Sequence, residues 1–198
     1  YSIFDFLANH LASVNPTIRS SGDDVLPNVF CGMATVILVP LYLFTKSIPL
    51  KEKVMNVALL GIMYFSFNIN IVNYIWHGFH YPNDLPYRWS FMYSFILLVL
   101  AYKAFTRLNE FGGRAILGTG VGVLGFIILV QELGSKNVEE ITVLISIIFT
   151  VTYCLVFALM KDKRYQQSAV AVLLLCCVIG EVSCANTDRY SMDQLKSN

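Results

Sequence analysis

The sequence predicts an all-α fold, a polytopic bundle of about six membrane-spanning helices. Apolar residues make up 56% of the 198-residue chain, charged residues make up 14%, and the mean hydropathy is +0.61. Soluble domains carry about 25% charged residues, and a spanning helix needs about 20 mainly apolar residues. Basic residues form no cluster, so nothing indicates a nucleic-acid partner. The six apolar segments are residues 25–44, 54–73, 89–105, 115–130, 141–160 and 166–184.

The basic residues predict which way the helices point. Most of them fall in or beside the first, third and fifth connections, which the positive-inside rule therefore places in the cytoplasm. They are Lys46, Lys51, Lys53, Lys103, Arg107, Arg114, Lys161, Lys163 and Arg164. We expect a multi-pass protein of the cell membrane in which residues 1–24, 74–88, 131–140 and 185–198 are extracytoplasmic.

The ends of the chain lie outside the predicted transmembrane domain, residues 25–184. Residues 1–24 form an extracytoplasmic loop whose apolar positions have helical spacing, which fits either a helix lying in the membrane interface or one packed on the bundle. Residues 185–198 are the extracytoplasmic start of a following region. The chain starts at Tyr1 without a signal-peptide pattern, and we interpret it as part of a longer protein.

Residues 76–91, WHGFHYPNDLPYRWSF, combine polar, aromatic and cationic side chains between two apolar segments. Upstream of this stretch, a stripe of polar residues is spaced by four, three, four and three, which is one face of a continuous helix. Polar groups in hydrocarbon are costly unless they are paired or line a wet cavity. The stripe is therefore either an inter-helix hydrogen-bond ladder or the wall of a substrate cavity. Its members are Ser66, Asn70, Asn73, His77 and His80.

Several residues in this region are candidates for chemistry. His77, His80 and Asp84 have the spacing of a metal triad, but Pro82 interrupts the helix, so acid–base or phosphate-contacting roles for the histidines are favoured. Arg88 has the planar fork that suits a phosphate or carboxylate, although an arginine snorkelling to the interface fits equally well. The candidate substrate-binding residues are Asn70, Asn73, His77, His80, Asn83, Asp84, Tyr87 and Arg88.

Three other features have simpler structural interpretations. Gly120, Gly122 and Gly125 match G-x-G-x-x-G, but no strand precedes them, and the pair Gly118 and Gly122 predicts a close-packed helix face. Glu181 lies in the last span, where we expect it near the interface or with a partner. The five cysteines form no C-x-x-C pair and are expected to be small buried hydrophobes.

Three segments resemble the YfhO family of bacterial membrane proteins: residues 26–32 (LPNVFCG), 66–80 (SFNINIVNYIWHGFH) and 81–105 (YPNDLPYRWSFMYSFILLVLAYKAF). The resemblance is strong over residues 25–110, and residues 111–184 match as a hydropathy pattern. The motif H-G-F-x-x-P-N-x-x-P-Y-R is quite specific. Its residues here are His77, Gly78, Phe79, Pro82, Asn83, Pro86, Tyr87 and Arg88.

The resemblance implies a C-type glycosyltransferase architecture. Such enzymes move a sugar from a polyprenyl-phosphate donor to a cell-envelope polymer, in this family teichoic acid, on the outer face of the membrane. Their catalytic aspartate usually lies in the first outer loop, so we expect the catalytic base outside this chain; Asp23, Asp24 and Asp84 match no pattern for that role. The partners implied are the lipid bilayer, the lipid-linked sugar and the polymer acceptor, and no cofactor is identified.

Two other functions stay open at this point. A lipid-linked sugar transporter or flippase would need a polar path through the membrane, but Asn56 is the main polar group in the inner half of the second segment. A non-catalytic scaffold of envelope assembly would need no such path.

Overall fold

The computed structural model describes residues 3–14, 26–80, 87–134, 138–162 and 165–187. These residues form eight α-helices and one short 3₁₀ helix and contain no strand, which confirms the all-α fold. The helices are α1 Ile3–Ala8, α2 Met33–Phe44, α3 Leu50–Asn68, α4 Asn70–Trp76, α5 Ser90–Phe105, α6 Gly113–Leu133, α7 Glu140–Lys161 and α8 Gln167–Thr187, with the 3₁₀ helix at Leu108–Glu110.

Three helices are long and apolar enough to cross a membrane: Gly113–Leu133, Glu140–Lys161 and Gln167–Ala185. Helices α2 and α5 are apolar but shorter, whereas α3 has 19 residues and begins with a charged turn. The number of spanning helices therefore stays a prediction. Outside the core, these helices expose large apolar side chains such as Leu117, Leu155 and Leu175, as lipid-facing surfaces do.

The first, third and fifth connections meet at one end of the bundle, which we call the basic end. The Glu110 carboxylate accepts the backbone N–H groups of Lys46 at 2.8 Å and Ser47 at 3.1 Å. The Lys161 ammonium donates to the Phe111 carbonyl, and Arg107 Nε donates to Ser47 Oγ at 2.9 Å. These contacts confirm that the basic connections share a side of the bundle, as their alternation predicts.

The opposite end, which we call the aromatic end, is closed by α1 and the residues that follow it. The Thr142 hydroxyl donates a hydrogen bond to the Ser13 carbonyl, and the Ala12 N–H donates to Ser146 Oγ at 3.0 Å. The side chains of Phe6 and Leu11 are fully buried. Helix α1 therefore packs on the bundle, and its position in the membrane interface stays a prediction.

Two predicted helices have different bounds because local chemistry interrupts them. Residues 26–32 are not helical, and α2 begins only after Gly32, whose φ of +91° favours glycine. The predicted continuous helix 54–73 is wrong, because Ile69 is extended and separates α3 from α4. The Ser66 and Asn68 side chains donate to carbonyls four residues back, which bends helices.

Helix α2 lies at the centre of the bundle and packs against α5, α6 and α7. Its Ile37, Leu41 and Tyr42 side chains are fully buried there. With 12 residues it spans about 18 Å, which is little more than half of a bilayer core of about 30 Å. The irregular residues 26–32 and the segment around α1 complete the bundle toward the aromatic end.

Candidate functional site

An apolar groove of about 670 Å³ runs beside α2 from Gly32 to Phe44. Helices α5 and α6 form its two sides, and α3 contributes Leu60. One end, which we call the head of the groove, is lined by His10, Cys31 and Tyr93. A volume of this size is within the range of small-molecule sites.

The α6 wall of the groove consists mostly of small residues. An added Cβ would meet nothing within 4 Å at Gly118 or at Gly122, and both glycines line the groove. The prediction that this pair forms a close-packed helix face is therefore wrong. The close approach occurs instead at Gly120, where a Cβ would lie 2.6 Å from Cys154 Sγ of α7. The two glycine faces differ because only one of them faces a neighbouring helix.

A histidine–tyrosine pair forms the head of the groove. His10 Nε2 lies 3.2 Å from the Tyr93 hydroxyl, and Nδ1 lies 3.2 Å from the Leu7 carbonyl. The Phe6 and Tyr93 rings pack edge-on against the imidazole. Burial lowers the pKa of His10 to about 4, because desolvation disfavours the charged ring. His10 is therefore neutral at pH 7.

A buried carboxylate holds the start of α2 inside the bundle. Glu181 Oε1 accepts the Met33 N–H at 2.6 Å, and Oε2 accepts the Tyr153 hydroxyl at 2.7 Å. The negative charge lies at the positive end of the α2 dipole and accepts one of its unpaired N–H groups. A Cβ at Gly32 would lie 3.2 Å from Glu181 Oε2. The expectation that Glu181 finds a partner is confirmed.

Stacked aromatic rings give the aromatic end its name. The Trp89 indole stacks on Phe67 with centroids 4.1 Å apart and an interplanar angle of 9°, and on Trp76 at 5.4 Å. Tyr87 and Tyr93 each meet Phe67 edge-on at 5.7 Å. Trp89 is buried, whereas Trp76 is 41% exposed. The stack thus connects the head of the groove to the surface.

Comparison with known families identifies the chain. The model of the family described as bacterial membrane protein YfhO matches residues 1–197. The chain belongs to this family. The match confirms the resemblance and extends it through residues 111–184, and it makes the chain a membrane protein. No curated protein and no solved structure gives a significant match.

The structure places one residue of the YfhO motif, Tyr87, against the aromatic stack. The Tyr87 ring meets Phe67 edge-on, Trp89 stacks on both Phe67 and Trp76, and Arg88, which follows Tyr87 in the chain, is exposed. His77 is half-buried and His80 is exposed in the turn after α4.

The other motif-region candidates stay predictions. Asn70 and Asn73 lie in α4, whereas Asn83 and Asp84 lie outside the described residues. The break at Ile69 removes the single helix face that was expected to align the polar stripe. Convergence of these side chains with Arg88 on one pocket is untested. Among the described residues no group of three His, Cys, Asp or Glu could hold a metal, and the triad with Asp84 is likewise untested.

Sequence reasoning missed the groove and its head in this YfhO protein. Asp5 and Asn9 are buried and His10 lies beside them, and these three polar residues interrupt an apolar segment. The spacing gave no usable signal, because Asp5 and Asn9 are four residues apart and share the face that a helix lying in the interface would turn to water. No sequence signal pointed to Tyr93 or to the pairing of Glu181 with Met33.

Proposed function

We propose that this YfhO-family chain is part of a membrane glycosyltransferase. Its reaction moves a sugar from a polyprenyl-phosphate donor to a cell-envelope polymer, such as teichoic acid, on the outer face. The observation that carries the proposal is the arrangement at the aromatic end, where Trp89 and Phe67 stack behind an exposed Trp76 and the exposed Arg88 precedes Trp89 in the chain.

This arrangement suits the two parts of such a donor. The C–H faces of a sugar ring pack against the electron-rich face of an aromatic ring, and the stack behind Trp76 fixes that face. The Arg88 guanidinium can bind a phosphate through two parallel hydrogen bonds. Tryptophan and tyrosine are also enriched at the level of lipid headgroups, where the phosphate of a lipid-linked donor lies.

The proposal requires the aromatic end to face outside, as the basic connections predict. Single cysteines introduced at Ser47 and Ser135, in a background without native cysteines, test the orientation in intact cells. An impermeant thiol reagent should label position 135, which lies outside the described residues, and leave position 47 at the basic end unlabelled. The reverse pattern would overturn the orientation and with it the outer-face site.

Arg88 provides the test of the site in the full-length protein. We expect Arg88→Lys, which keeps the charge and loses the planar fork, to lower sugar incorporation into the envelope polymer about tenfold. Arg88→Ala should lower it further at an unchanged protein level. The matched control is Arg114→Lys, an exposed arginine at the start of α6, which should keep activity. Full activity in both Arg88 variants would remove the residue from the site.

A further inference from the structure

The side chains at the head of the groove can accept hydrogen bonds from a ligand, whereas their own protons already form hydrogen bonds within the protein. A carbonyl only accepts, so His10 Nδ1 carries the ring proton and donates to Leu7 O. In neutral imidazole the other nitrogen is an acceptor, so the Tyr93 hydroxyl donates to Nε2. The phenolic oxygen keeps a lone pair that can accept a hydrogen bond from a molecule in the groove.

The other hydroxyl and thiol groups that line the groove also donate their protons to acceptors within the protein. Thr35 donates to the Cys31 carbonyl and Thr119 to the Ala115 carbonyl, each at 2.9 Å. The Cys31 thiol donates to the Val29 carbonyl at 3.0 Å. Each of these side-chain protons is bound within the protein, so the ligand must bring the donor.

The charge of the groove lining further limits which ligand head groups can bind. The described residues that line the groove include no Asp, Glu, Lys or Arg, and His10 is neutral because burial holds its pKa near 4. A phosphate or carboxylate would be desolvated against acceptor oxygens with no cation to pair it, which is costly. An ammonium would lack a free anion, because the Glu181 carboxylate behind Gly32 is not part of the lining and already accepts the Met33 N–H and the Tyr153 hydroxyl. A hydroxyl group is a common lipid head that donates a hydrogen bond without carrying charge.

The rest of the groove fits an apolar chain. It follows the full length of α2, about 18 Å, and its remaining lining is largely aliphatic and aromatic, including Val36, Leu60 and Phe126. Because Gly118 and Gly122 have no side chains, the groove stays wide enough at these positions for an apolar chain. In a membrane such a surface is filled by lipid, so the question is which lipid head the groove selects.

We propose that the groove binds an uncharged lipid whose head carries a hydroxyl group, with the hydroxyl donating to the oxygen of Tyr93. His10 is the positioning residue, because its Nε2 fixes the Tyr93 proton away from the ligand. This site is separate from the phosphate site proposed at Arg88, and it holds or fails independently of the glycosyltransferase proposal.

Photolabelling of the full-length protein in lipid nanodiscs tests the head-group preference. The probe is a long-chain fatty alcohol with a diazirine near its head, and the comparison is the fatty acid of equal length with the same diazirine. We expect the alcohol to label peptides of α2 and α6 at least about fivefold more than the carboxylate, which lacks a donor and is charged. Equal labelling would indicate ordinary surrounding lipid and overturn the proposal.

Two pairs of variants locate the site. Gly122→Leu fills the groove, whereas Gly125→Leu adds the same side chain to the same helix in open space outside it. We expect alcohol labelling to fall about tenfold in Gly122→Leu and to stay at the wild-type level in Gly125→Leu. Tyr93→Phe should lower labelling about fivefold, and Tyr102→Phe, on an exposed part of α5, should not. Identical effects within either pair would overturn the assignment. Absence of labelling in the wild type, with the groove filled by another segment of the protein, would also overturn it.

Discussion

The two ends of the bundle use the same interaction in opposite surroundings. At the basic end, Glu110 accepts backbone N–H groups from Lys46 and Ser47 on the surface. Toward the aromatic end, Glu181 accepts the Met33 N–H and the Tyr153 hydroxyl with its side chain buried. The comparison separates a contact that water can replace from one that it cannot.

This difference decides where the fold depends on individual side chains. Hydrogen bonds from Ser47 lower the pKa of Glu110, and a hydrogen bond from Lys103 lowers the pKa of Glu52. Both acids are only partly buried at the surface, so solvent screens these interactions and they add little stability. A buried polar group that loses its partner destabilises the folded protein by the full cost of its desolvation. The surface contacts of the basic end therefore contribute little to stability, whereas the Glu181 contact holds the start of α2.

Substitution of Glu181 should have the largest effect on stability. Glu181→Ala removes two charge-assisted hydrogen bonds and leaves the Met33 N–H and the Tyr153 hydroxyl buried, so we expect a loss of about 4 kcal/mol in the free energy of unfolding. Glu181→Gln keeps the size and one acceptor and should cost less than half as much. Unfolding by sodium dodecyl sulfate in mixed micelles measures both.

The matched control is Glu110→Ala at the basic end, where water can take over the N–H groups of Lys46 and Ser47. Its unfolding curve should lie close to that of the wild type. If Glu110→Ala and Glu181→Ala shift the curve equally, the distinction drawn between the two ends fails. If Glu181→Ala is as stable as the wild type, the start of α2 is held by other contacts.

The sequence predicted features that are set by composition and by charge along the chain. Apolar length predicted α5 to α8 within a few residues, because a segment in hydrocarbon must satisfy its backbone internally. The alternation of lysine and arginine predicted the shared side of the basic connections, which the Glu110 contacts confirm. Both depend on properties that a single segment carries by itself.

The features that failed depend on contacts between distant segments. Hydropathy extended the first helix to residue 25, since nothing local shows that Glu181, 148 residues away, binds the Met33 N–H. The position of α7 determines which glycine of α6 packs against a neighbouring helix. Gly120 approaches α7, whereas Gly118 and Gly122 face open space. Arg88 and Tyr87 were predicted as candidates because they belong to a motif, whereas Tyr93 looked like one more aromatic residue of an apolar helix.

The pH dependence of stability should also distinguish the two ends, with a somewhat smaller effect than that of Glu181→Ala. His10 has an ordinary pKa of 6.5, which burial lowers to about 4 in the folded protein. Between these values the unfolded chain binds a proton that the folded chain does not. Stability is therefore full above pH 6.5 and falls as the pH drops toward 4, by up to roughly 3 kcal/mol. The lowered pKa values of Glu52 and Glu110 act only below about pH 4.5.

The His10 contribution can be isolated with a variant that keeps a ring and loses the titration. His10→Phe gives up the bonds to Leu7 and Tyr93, so it should be less stable than the wild type at pH 7, but its stability should change much less between pH 6.5 and 4.5. His80→Phe, at an exposed position, should retain the wild-type slope. Parallel curves for the wild type and His10→Phe would show that another group titrates in this range. The lowered pKa assigned to His10 would then be wrong. The uncharged state assigned to the head of the groove would be wrong with it.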